Sequence, residues 1–305
     1  MSIGKYLIIM LLLFFSFILL HYILEINIFV SLFVSLILIF IVLSIPGKKR
    51  IINTVLIKIL GENIIINIRN QFERFSPVQQ QEIIKRTLFY QQFVNKNDLC
   101  FDVGANVGNR ITPLLKIGAK VLAVEPQESC YKVLQSKFGD KITLVTKGLG
   151  EKECMRKFHI CNANTISSFS EEWINSLQKT RFKEYSWDRI IEVEMTTLDN
   201  LIEKYGVPAF IKIDVEGYES EVLRGLSHPI NMISFEYTVP EQTHKIEQCI
   251  KIVEKTNPNI RCNFSIGESM EWSLTKWLSV SEFLKLIKNK DFINTSWGDI
   301  YLKSV

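Results

Sequence analysis

Short apolar runs alternate with amphipathic stretches along most of this chain, and the alternation predicts strands separated by helices. From residue 98 onward, Val-, Ile- and Phe-rich runs end at glycine, proline or acidic residues, and segments with helical periodicity follow them. This order is typical of a doubly wound α/β domain with a mostly parallel sheet. We expect seven strands, at residues 99–103, 121–125, 142–146, 209–213, 232–236, 260–264 and 300–302.

The chain between the third and fourth strands is longer than a simple crossover. Residues 149–197 form an insertion or lid, in which we expect a helix at 170–179 and a charged strand at 190–195. Before the first strand, Ser76 and Pro77 predict the start of a helix, because serine caps helix N-termini and proline fits the first turn.

The start of the chain has a different pattern. Residues 6–24 and 26–45 are two almost uninterrupted apolar runs, each close to the roughly 20 residues that cross a bilayer. One helix through both would be about 60 Å long, so we expect a hairpin that turns near Glu25, with a single span as the alternative. Lys5 then lies beside basic residues 48–50, which predicts a multi-pass membrane protein whose remaining chain faces the cytoplasm.

Three segments are therefore expected: a two-span transmembrane hairpin at 1–47, a linker with accessory helices at 48–96, and the α/β domain at 97–305. The net charge of +4 is modest and does not indicate a nucleic-acid partner. The six cysteines form no C-x-x-C pair and have no histidine at zinc spacing, so the sequence predicts no zinc site.

A glycine-rich turn follows the first strand, with the sequence Asp102-Val-Gly104-Ala-Asn106-Val-Gly108. Its glycines allow the backbone to approach a ligand, and the next helix offers free N–H groups. A dinucleotide enzyme would need G-x-G-x-x-G, but Asn106 and Asn109 occupy the other two glycine positions. Asp102 favours a ligand that carries positive charge over a pyrophosphate.

Acidic residues end three later strands. Glu125 follows the second strand, where a carboxylate can accept both ribose hydroxyls of a nucleoside. Asp214 and Glu216 follow the fourth strand, and Glu236 ends the fifth. Acids that face a crevice are costly unless they bind a ligand or transfer a proton. Asp214 is our first candidate for a general base, with Glu216 and Glu236 as alternatives, and the group could instead hold Mg²⁺. A weaker candidate is His228.

Five motifs together resemble those of the FkbM family of S-adenosylmethionine-dependent methyltransferases. They are D-V-G-A-N-V-G, V-E-P, T-L-D-N-L, I-K-I-D-V-E-G-Y-E and F-E, in this order between residues 97 and 302. The resemblance implies a Rossmann-like class I methyltransferase fold and methyl transfer to oxygen, on sugars or related hydroxylated molecules. The apolar runs at the start of the chain lie outside it.

The resemblance also implies roles for residues at matching positions. Ser167 and Ser168 are expected near the substrate. Residues expected to bind S-adenosylmethionine are Asp102, Gly104, Asn106 and Gly108 at the methionine end, Glu125 and Pro126 at the ribose, and Gly148 and Leu149 at the adenine.

The sequence as a whole predicts a membrane-anchored methyltransferase that acts on a hydroxyl of a saccharide, glycan or lipid-linked sugar. One alternative is a catalytically inactive membrane scaffold or sensor that binds S-adenosylmethionine, against which the acids Asp214, Glu216 and Glu236 argue. The other is an NAD-dependent oxidoreductase, which would need the glycine fingerprint that this chain lacks.

Overall fold

The computed structural model describes residues 77–305, apart from the side chain of Asn164. The predicted hairpin at 1–47 lies outside the described residues, and the segment boundaries at 47 and 96 stay predictions. The prediction of a multi-pass membrane localisation is wrong for the described part of the chain, because no helix there is long and apolar enough to cross a membrane. The two longest of its helices have 14 residues each, against the roughly 20 that a bilayer core requires.

Eleven strands form two sheets in the described residues. The larger sheet has eight strands in the order β10-β9-β11-β8-β7-β1-β2-β3, and the smaller has the order β4-β6-β5. The strands are β1 (Leu99–Val103), β2 (Lys120–Val124), β3 (Ile142–Val145), β4 (Gly148–Leu149), β5 (Cys154–Ile160), β6 (Arg189–Thr196), β7 (Phe210–Ile213), β8 (Met232–Thr238), β9 (Ile260–Ile266), β10 (Leu278–Ser279) and β11 (Trp297–Ser304).

The pairing of the strands creates a switch point beside β1. Strand β1 pairs in parallel with both β2 and β7, and the sheet continues in parallel to β3 on one side and β8 on the other. Strand β11 then runs antiparallel between β8 and β9. The chain therefore continues from β1 to β2 and β3 on one side of β1, and later returns to form β7 and β8 on the other side. A crevice forms at the carboxyl ends of the strands at such a point.

Helices cover both faces of the larger sheet, and several begin or end at residues suited to the task. Ser170 and Thr197 cap helix N-termini through their hydroxyl oxygens, and Gly118 ends a helix in the left-handed conformation. The helices are α1 (Pro77–Tyr90), α2 (Ile111–Ile117), α3 (Glu128–Phe138), α4 (Glu171–Gln178), α5 (Leu198–Tyr205), α6 (Glu219–Arg224), α7 (Thr243–Thr256), α8 (Val280–Leu286) and α9 (Lys290–Ile293).

Alternate residues of β1 supply the two cores of the domain. Phe101 belongs to the core on one face of the sheet and Cys100 to the core on the other face. On the Cys100 side, Phe89 and Tyr90 of α1 pack against the sheet, and the Phe89 ring lies 5.5 Å from that of Tyr301. Burial of each such ring stabilises the fold by about 1.5–3 kcal/mol, so α1 is an integral part of the domain.

All seven predicted strands and the predicted mostly parallel sheet are present. The sheet gains an eighth strand, the two-residue edge strand β10, which is too short to leave a pattern in the sequence. The insertion contains the predicted helix as α4 and the charged strand as β6. Its partner β5 was not predicted, because most of its side chains are exposed and its sequence does not alternate clearly.

Candidate active site

A cavity of about 330 Å³ opens at the carboxyl ends of β1, β2, β7 and β8. All but two of the predicted site residues line it, and the exceptions are Gly108 and Ser168. The predicted residues that line it are Asp102, Gly104, Asn106, Glu125, Pro126, Gly148, Leu149, Ser167, Asp214, Glu216 and Glu236.

Asp102 lies at the end of β1 and is only 1% exposed. Its Oδ2 atom is buried and has no hydrogen-bond partner among residues 77–305. Burial raises the pKa of Asp102 to about 6, although the positive charges of Arg110 and Lys212 act in the opposite direction. A buried acceptor without a partner costs free energy, so the site suits a ligand that brings a hydrogen-bond donor or a positive charge.

The turn after β1 lies against the loop that follows β7. Gly104 has a φ of +80°, and a Cβ atom there would lie 1.8 Å from the backbone oxygen of Asp214. Gly108 has a φ of +85°, and a Cβ atom there would lie 2.4 Å from the Phe138 ring. Gly104 therefore allows two walls of the cavity to touch. Gly108 packs against Phe138 behind the turn and is not among the residues that line the cavity, and its expected contact with the cofactor stays a prediction.

Glu125, just beyond β2, is fixed by two backbone donors. Its Oε2 accepts the Asn106 N–H and its Oε1 accepts the Gln127 N–H, each at 2.8 Å. Burial raises the pKa of Glu125 to about 7, against the lowering effect of these two hydrogen bonds. The carboxyl group thus joins the turns after β1 and β2 and presents a defined face to the cavity.

Three acids lie close together in the wall of the cavity. One carboxylate oxygen from each of Asp214, Glu216 and Glu236 lies within 4.8 Å of the others. Burial raises the pKa of both Glu216 and Glu236, and the neighbouring Asp214 raises each further. Such a group can share protons with hydroxyls, and carboxylate oxygens at this spacing are also the kind of ligand that Mg²⁺ binds.

The two predicted substrate serines have different positions. Ser167 lines the cavity, and its Oγ accepts the Cys161 N–H at 3.1 Å. Ser168 lies behind the wall, where its Oγ donates to the Glu216 backbone oxygen at 2.6 Å and accepts the Ser170 N–H at 2.8 Å. Ser168 therefore holds the loop after β7, and its expected position beside a substrate stays a prediction.

The weaker candidate His228 and the neighbouring acid Glu219 both have structural partners. His228 lies 2.9 Å from Asp199 through its Nδ1 atom and does not line the cavity. Glu219 folds back onto its own loop, where its Oε1 accepts the N–H groups of Val215 and Gly217 at 3.2 and 3.1 Å.

Several residues of the site were missed by sequence reasoning. Lys212 is a fully buried lysine on β7 whose Nζ contacts Asp214 and Asp299, and its position inside an apolar strand was the signal that could have revealed it. Arg110 binds Glu268 through two hydrogen bonds of 2.6 and 2.8 Å, and both residues line the cavity. The positions of Asp299 and Glu268 carry no comparable signal, because neither follows a recognisable motif.

Comparison with known families identifies the family of this chain. Residues 102–266 match the profile of the methyltransferase FkbM domain. The chain belongs to the FkbM methyltransferase family. As a member of this family, it is an S-adenosylmethionine-dependent methyltransferase with a Rossmann-like α/β fold. No curated protein matches the chain.

Solved structures with similar folds are distant in sequence. A TehB-like S-adenosylmethionine-dependent methyltransferase from Corynebacterium glutamicum is 8% identical, with 72% of this chain and 88% of that chain covered and a TM-score of 0.38. The precorrin-6y C5,15-methyltransferase from Geobacter metallireducens is 8% identical, with 72% and 86% covered and a TM-score of 0.38. An rRNA methylase from Streptococcus thermophilus is 11% identical, with 72% and 93% covered and a TM-score of 0.37.

Two features of the cavity suit S-adenosylmethionine, the cofactor of this FkbM methyltransferase. The unpartnered Oδ2 of Asp102 offers an acceptor to a positively charged ligand. The buried Glu125 carboxylate, which the N–H groups of Asn106 and Gln127 hold in place, offers acceptors to the hydroxyls of a ribose. Both features lie in the half of the cavity that β1 and β2 build.

Proposed function

We propose that this enzyme methylates a hydroxyl group of a saccharide, with Asp214 as the general base. The observation that carries the proposal is the position of Asp214, which lines the same cavity as Asp102 and Glu125 but at the end of a different strand. S-adenosylmethionine, when bound, supplies a methyl group on a positively charged sulfur. Residues of β1 and β2 then hold the cofactor, and residues of β7 and β8 hold the acceptor.

The cofactor half of the cavity consists of residues that bind and orient. Asp102 accepts a hydrogen bond from a cationic group, and Glu125 accepts hydrogen bonds from ribose hydroxyls. Gly148 and Leu149 of β4 provide a close, partly apolar wall, since a Cβ atom at Gly148 would lie 2.5 Å from the Met195 sulfur. Orientation of the two reactants can supply on the order of 7–11 kcal/mol of the barrier.

The acceptor half consists of residues that manage a proton. Asp214 would take the proton of the acceptor hydroxyl as that oxygen gains the methyl group. The cofactor would supply this methyl group, and the electrons of its C–S bond would stay with sulfur. Asp214 is suited to this role because Lys212 places a positive charge 3.2 Å from one of its oxygens. Glu216 and Glu236, whose pKa values are raised, can donate hydrogen bonds to neighbouring hydroxyls.

A saccharide is supported by Trp297 at the edge of the same cavity. Its side chain is 40% exposed although it is large and aromatic. Its ring lies over Gly267, where a Cβ atom would be 3.5 Å from the ring. An exposed aromatic face beside several carboxyl groups matches the two surfaces of a pyranose ring, one of C–H groups and one edge of hydroxyls.

A magnesium-dependent transfer is the second candidate, because Asp214, Glu216 and Glu236 lie within 4.8 Å of one another. We favour transfer without the ion, since Lys212 already places a cation beside Asp214 and the raised pKa values of the two glutamates disfavour their charged forms. Full activity in EDTA is the expected result. Loss of activity in EDTA and its recovery with Mg²⁺ would support the metal.

The test of the proposal is a transfer assay with methyl-labelled S-adenosylmethionine and the full chain. The acceptor panel contains methyl hexopyranosides, oligosaccharides, glucosamine and RNA. We expect label on a sugar hydroxyl, lost in Asp214→Asn and retained in Glu128→Gln, a control acid that lies outside the cavity. Label on the glucosamine nitrogen or on RNA, or no transfer to any member of the panel, would contradict the proposal.

A further inference from the structure

We propose that Lys212 and Asp299 act as a pair of positioning residues that hold Asp214 in place for proton transfer. The inference rests on the proposed function, because it assigns to the pair a role toward the proposed base. Lys212 lies two residues before Asp214 on β7, whereas Asp299 comes from β11, beyond the family match at 102–266. The contact between them therefore exists only in the folded sheet.

The geometry of Lys212 is fully determined. Its side chain is 0% exposed, and its Nζ atom donates to Asp299 Oδ1 at 2.8 Å, to Asp214 Oδ2 at 3.2 Å and to the Ile213 backbone oxygen at 3.2 Å. An ammonium group has three N–H donors, so these three acceptors satisfy all of them. The Asp214 oxygen that Lys212 engages is Oδ2, which leaves Oδ1 to receive a proton from a substrate.

Asp299 fixes the ammonium from the opposite side. Its side chain is 5% exposed, and its Oδ2 atom lies 3.4 Å from the Tyr301 hydroxyl and 3.9 Å from Arg110. Burial alone would lower the pKa of Lys212, but Asp214 and Asp299 raise it, so the lysine stays charged. Without Asp299, the ammonium would lose its shortest hydrogen bond and its fixed distance from Asp214.

The charges around Asp214 explain why a fixed cation matters there. Lys212 is the positive group closest to Asp214. Asp102 of the neighbouring strand β1 is the residue paired with Lys212 in the sheet. The other acids that interact electrostatically with Asp214 are Glu216 and Glu219 of the following loop and helix, and Glu236 of β8. Among these four acids, the Lys212 ammonium offsets the negative charge beside Asp214 and holds one of its oxygens at 3.2 Å.

The pair also belongs to a longer series of alternating charges. From Asp214 the series continues through Lys212, Asp299 and Arg110 to Glu268, which also accepts a hydrogen bond from Arg86 of α1 at 3.2 Å. Lys212, Asp299, Arg110 and Glu268 each have an opposite charge on either side within the series, which lowers the cost of burying them. The base is thus connected to a framework of ion pairs from other strands and is not carried by its loop alone.

The test separates positioning from a merely structural ion pair. Lys212→Met leaves Asp299 buried without its partner, so we expect a lower unfolding temperature as well as a misplaced base. The double variant Lys212→Met with Asp299→Asn removes both charges, so it should regain stability and still lack the cation beside Asp214. Lys212→Arg keeps the charge and should retain part of the turnover. Lys245→Met is the matched control, since Lys245 is also largely buried and paired with an acid, Glu172, but does not line the cavity.

Two readouts are used on the full chain. The first is the ¹³C chemical shift of the Asp214 carboxyl group at one fixed pH, assigned by the loss of its signal in Asp214→Asn. We expect this chemical shift to change in Lys212→Met and in the double variant, because the hydrogen bond from Lys212 is lost, and to stay unchanged in Lys245→Met. The second is turnover with labelled S-adenosylmethionine and the methyl hexopyranoside panel. Turnover should fall about 100-fold in Lys212→Met and in the double variant without a change in S-adenosylhomocysteine affinity.

Each outcome has a defined meaning. An unchanged chemical shift of the Asp214 carboxyl group in folded Lys212→Met protein would overturn the inference. Recovery of turnover together with stability in the double variant would also overturn it, because the pair would then be structural only. Failure of the wild-type chain to bind S-adenosylhomocysteine, or undiminished turnover in Asp214→Asn, would instead overturn the proposed function. The carboxyl signal would then still report whether Lys212 holds Asp214.

Discussion

The two halves of the cavity are built in different ways. In the cofactor half, Asp102 and Glu125 belong to neighbouring strands, and the donors that hold Glu125 are backbone N–H groups of Asn106 and Gln127. In the acceptor half, Asp214 is held by a side chain, Lys212, and the groups around it come from strands far apart in sequence. The cofactor half depends on local turns, whereas the acceptor half depends on the assembled sheet.

The largest expected effect comes from breaking the acceptor half alone. Asp214→Asn keeps the shape of the side chain but removes the base, so turnover should fall about 10²- to 10⁴-fold. The affinity for S-adenosylhomocysteine should stay within about twofold, because that ligand is assigned to the other half. Calorimetry and the transfer assay on the same preparation measure both. Equal loss of binding and turnover would show that the halves are not separate.

Gly104→Ala should damage both halves together, because the added Cβ would lie 1.8 Å from the Asp214 backbone oxygen at a residue with a φ of +80°. Overpacking and left-handed strain together predict a loss of about 2–5 kcal/mol in the free energy of unfolding, with loss of S-adenosylhomocysteine binding. Gly139→Ala is the control, since Gly139 also has a positive φ but nothing lies within 4 Å of its Cβ position. Urea unfolding should show the larger loss only for Gly104→Ala.

The cofactor half has a pH dependence of its own. Burial raises the pKa of Glu125 from 4.5 to about 7, so the folded state binds this proton more tightly than the unfolded state does. The contribution of Glu125 to stability is therefore full below pH 4.5 and is lost as the pH rises to about 7, by on the order of 3 kcal/mol. Relative to Glu125→Gln, the wild type should lose stability between pH 5 and pH 7 in urea titrations. Parallel curves for the two proteins would contradict the assignment.

The smallest expected effect concerns the edge of the acceptor half. Trp297→Ala should raise the KM for a pyranoside acceptor about 3- to 10-fold and leave kcat and cofactor affinity unchanged, because it removes a stacking face only. Trp297→Phe should restore most of the affinity. Ile266→Ala is the control, as Ile266 is similarly exposed at 43% but does not line the cavity. An unchanged KM in Trp297→Ala would remove the support for a saccharide.

The difference between the two halves of the cavity also explains which residues of the site could be predicted from the sequence. Three parts of the site follow apolar strands directly: the glycine turn after β1, Glu125 after β2 and Asp214 after β7. The hydrophobic pattern of these strands and the turn residues behind them were therefore enough to place all three at one edge of the sheet. Asp299, Glu268 and Trp297 join the site only through the antiparallel strand β11 and the loop after β9, and no local pattern indicates those contacts. The positions of Ser168 and Gly108 likewise depend on contacts with residues distant in sequence, Glu216 and Phe138, so no local pattern shows that they support the walls and do not line the cavity.

The most direct test of the central claim is calorimetric titration of the full chain with S-adenosylhomocysteine, with NAD as a parallel ligand and Glu125→Ala as a parallel protein. We predict micromolar binding of S-adenosylhomocysteine to the wild type, binding at least tenfold weaker to Glu125→Ala, and none of NAD, because Glu125 contributes charged hydrogen bonds to the ribose. Absence of S-adenosylhomocysteine binding to a folded wild-type chain, or equal binding to Glu125→Ala, would contradict the assignment of this cavity to the cofactor.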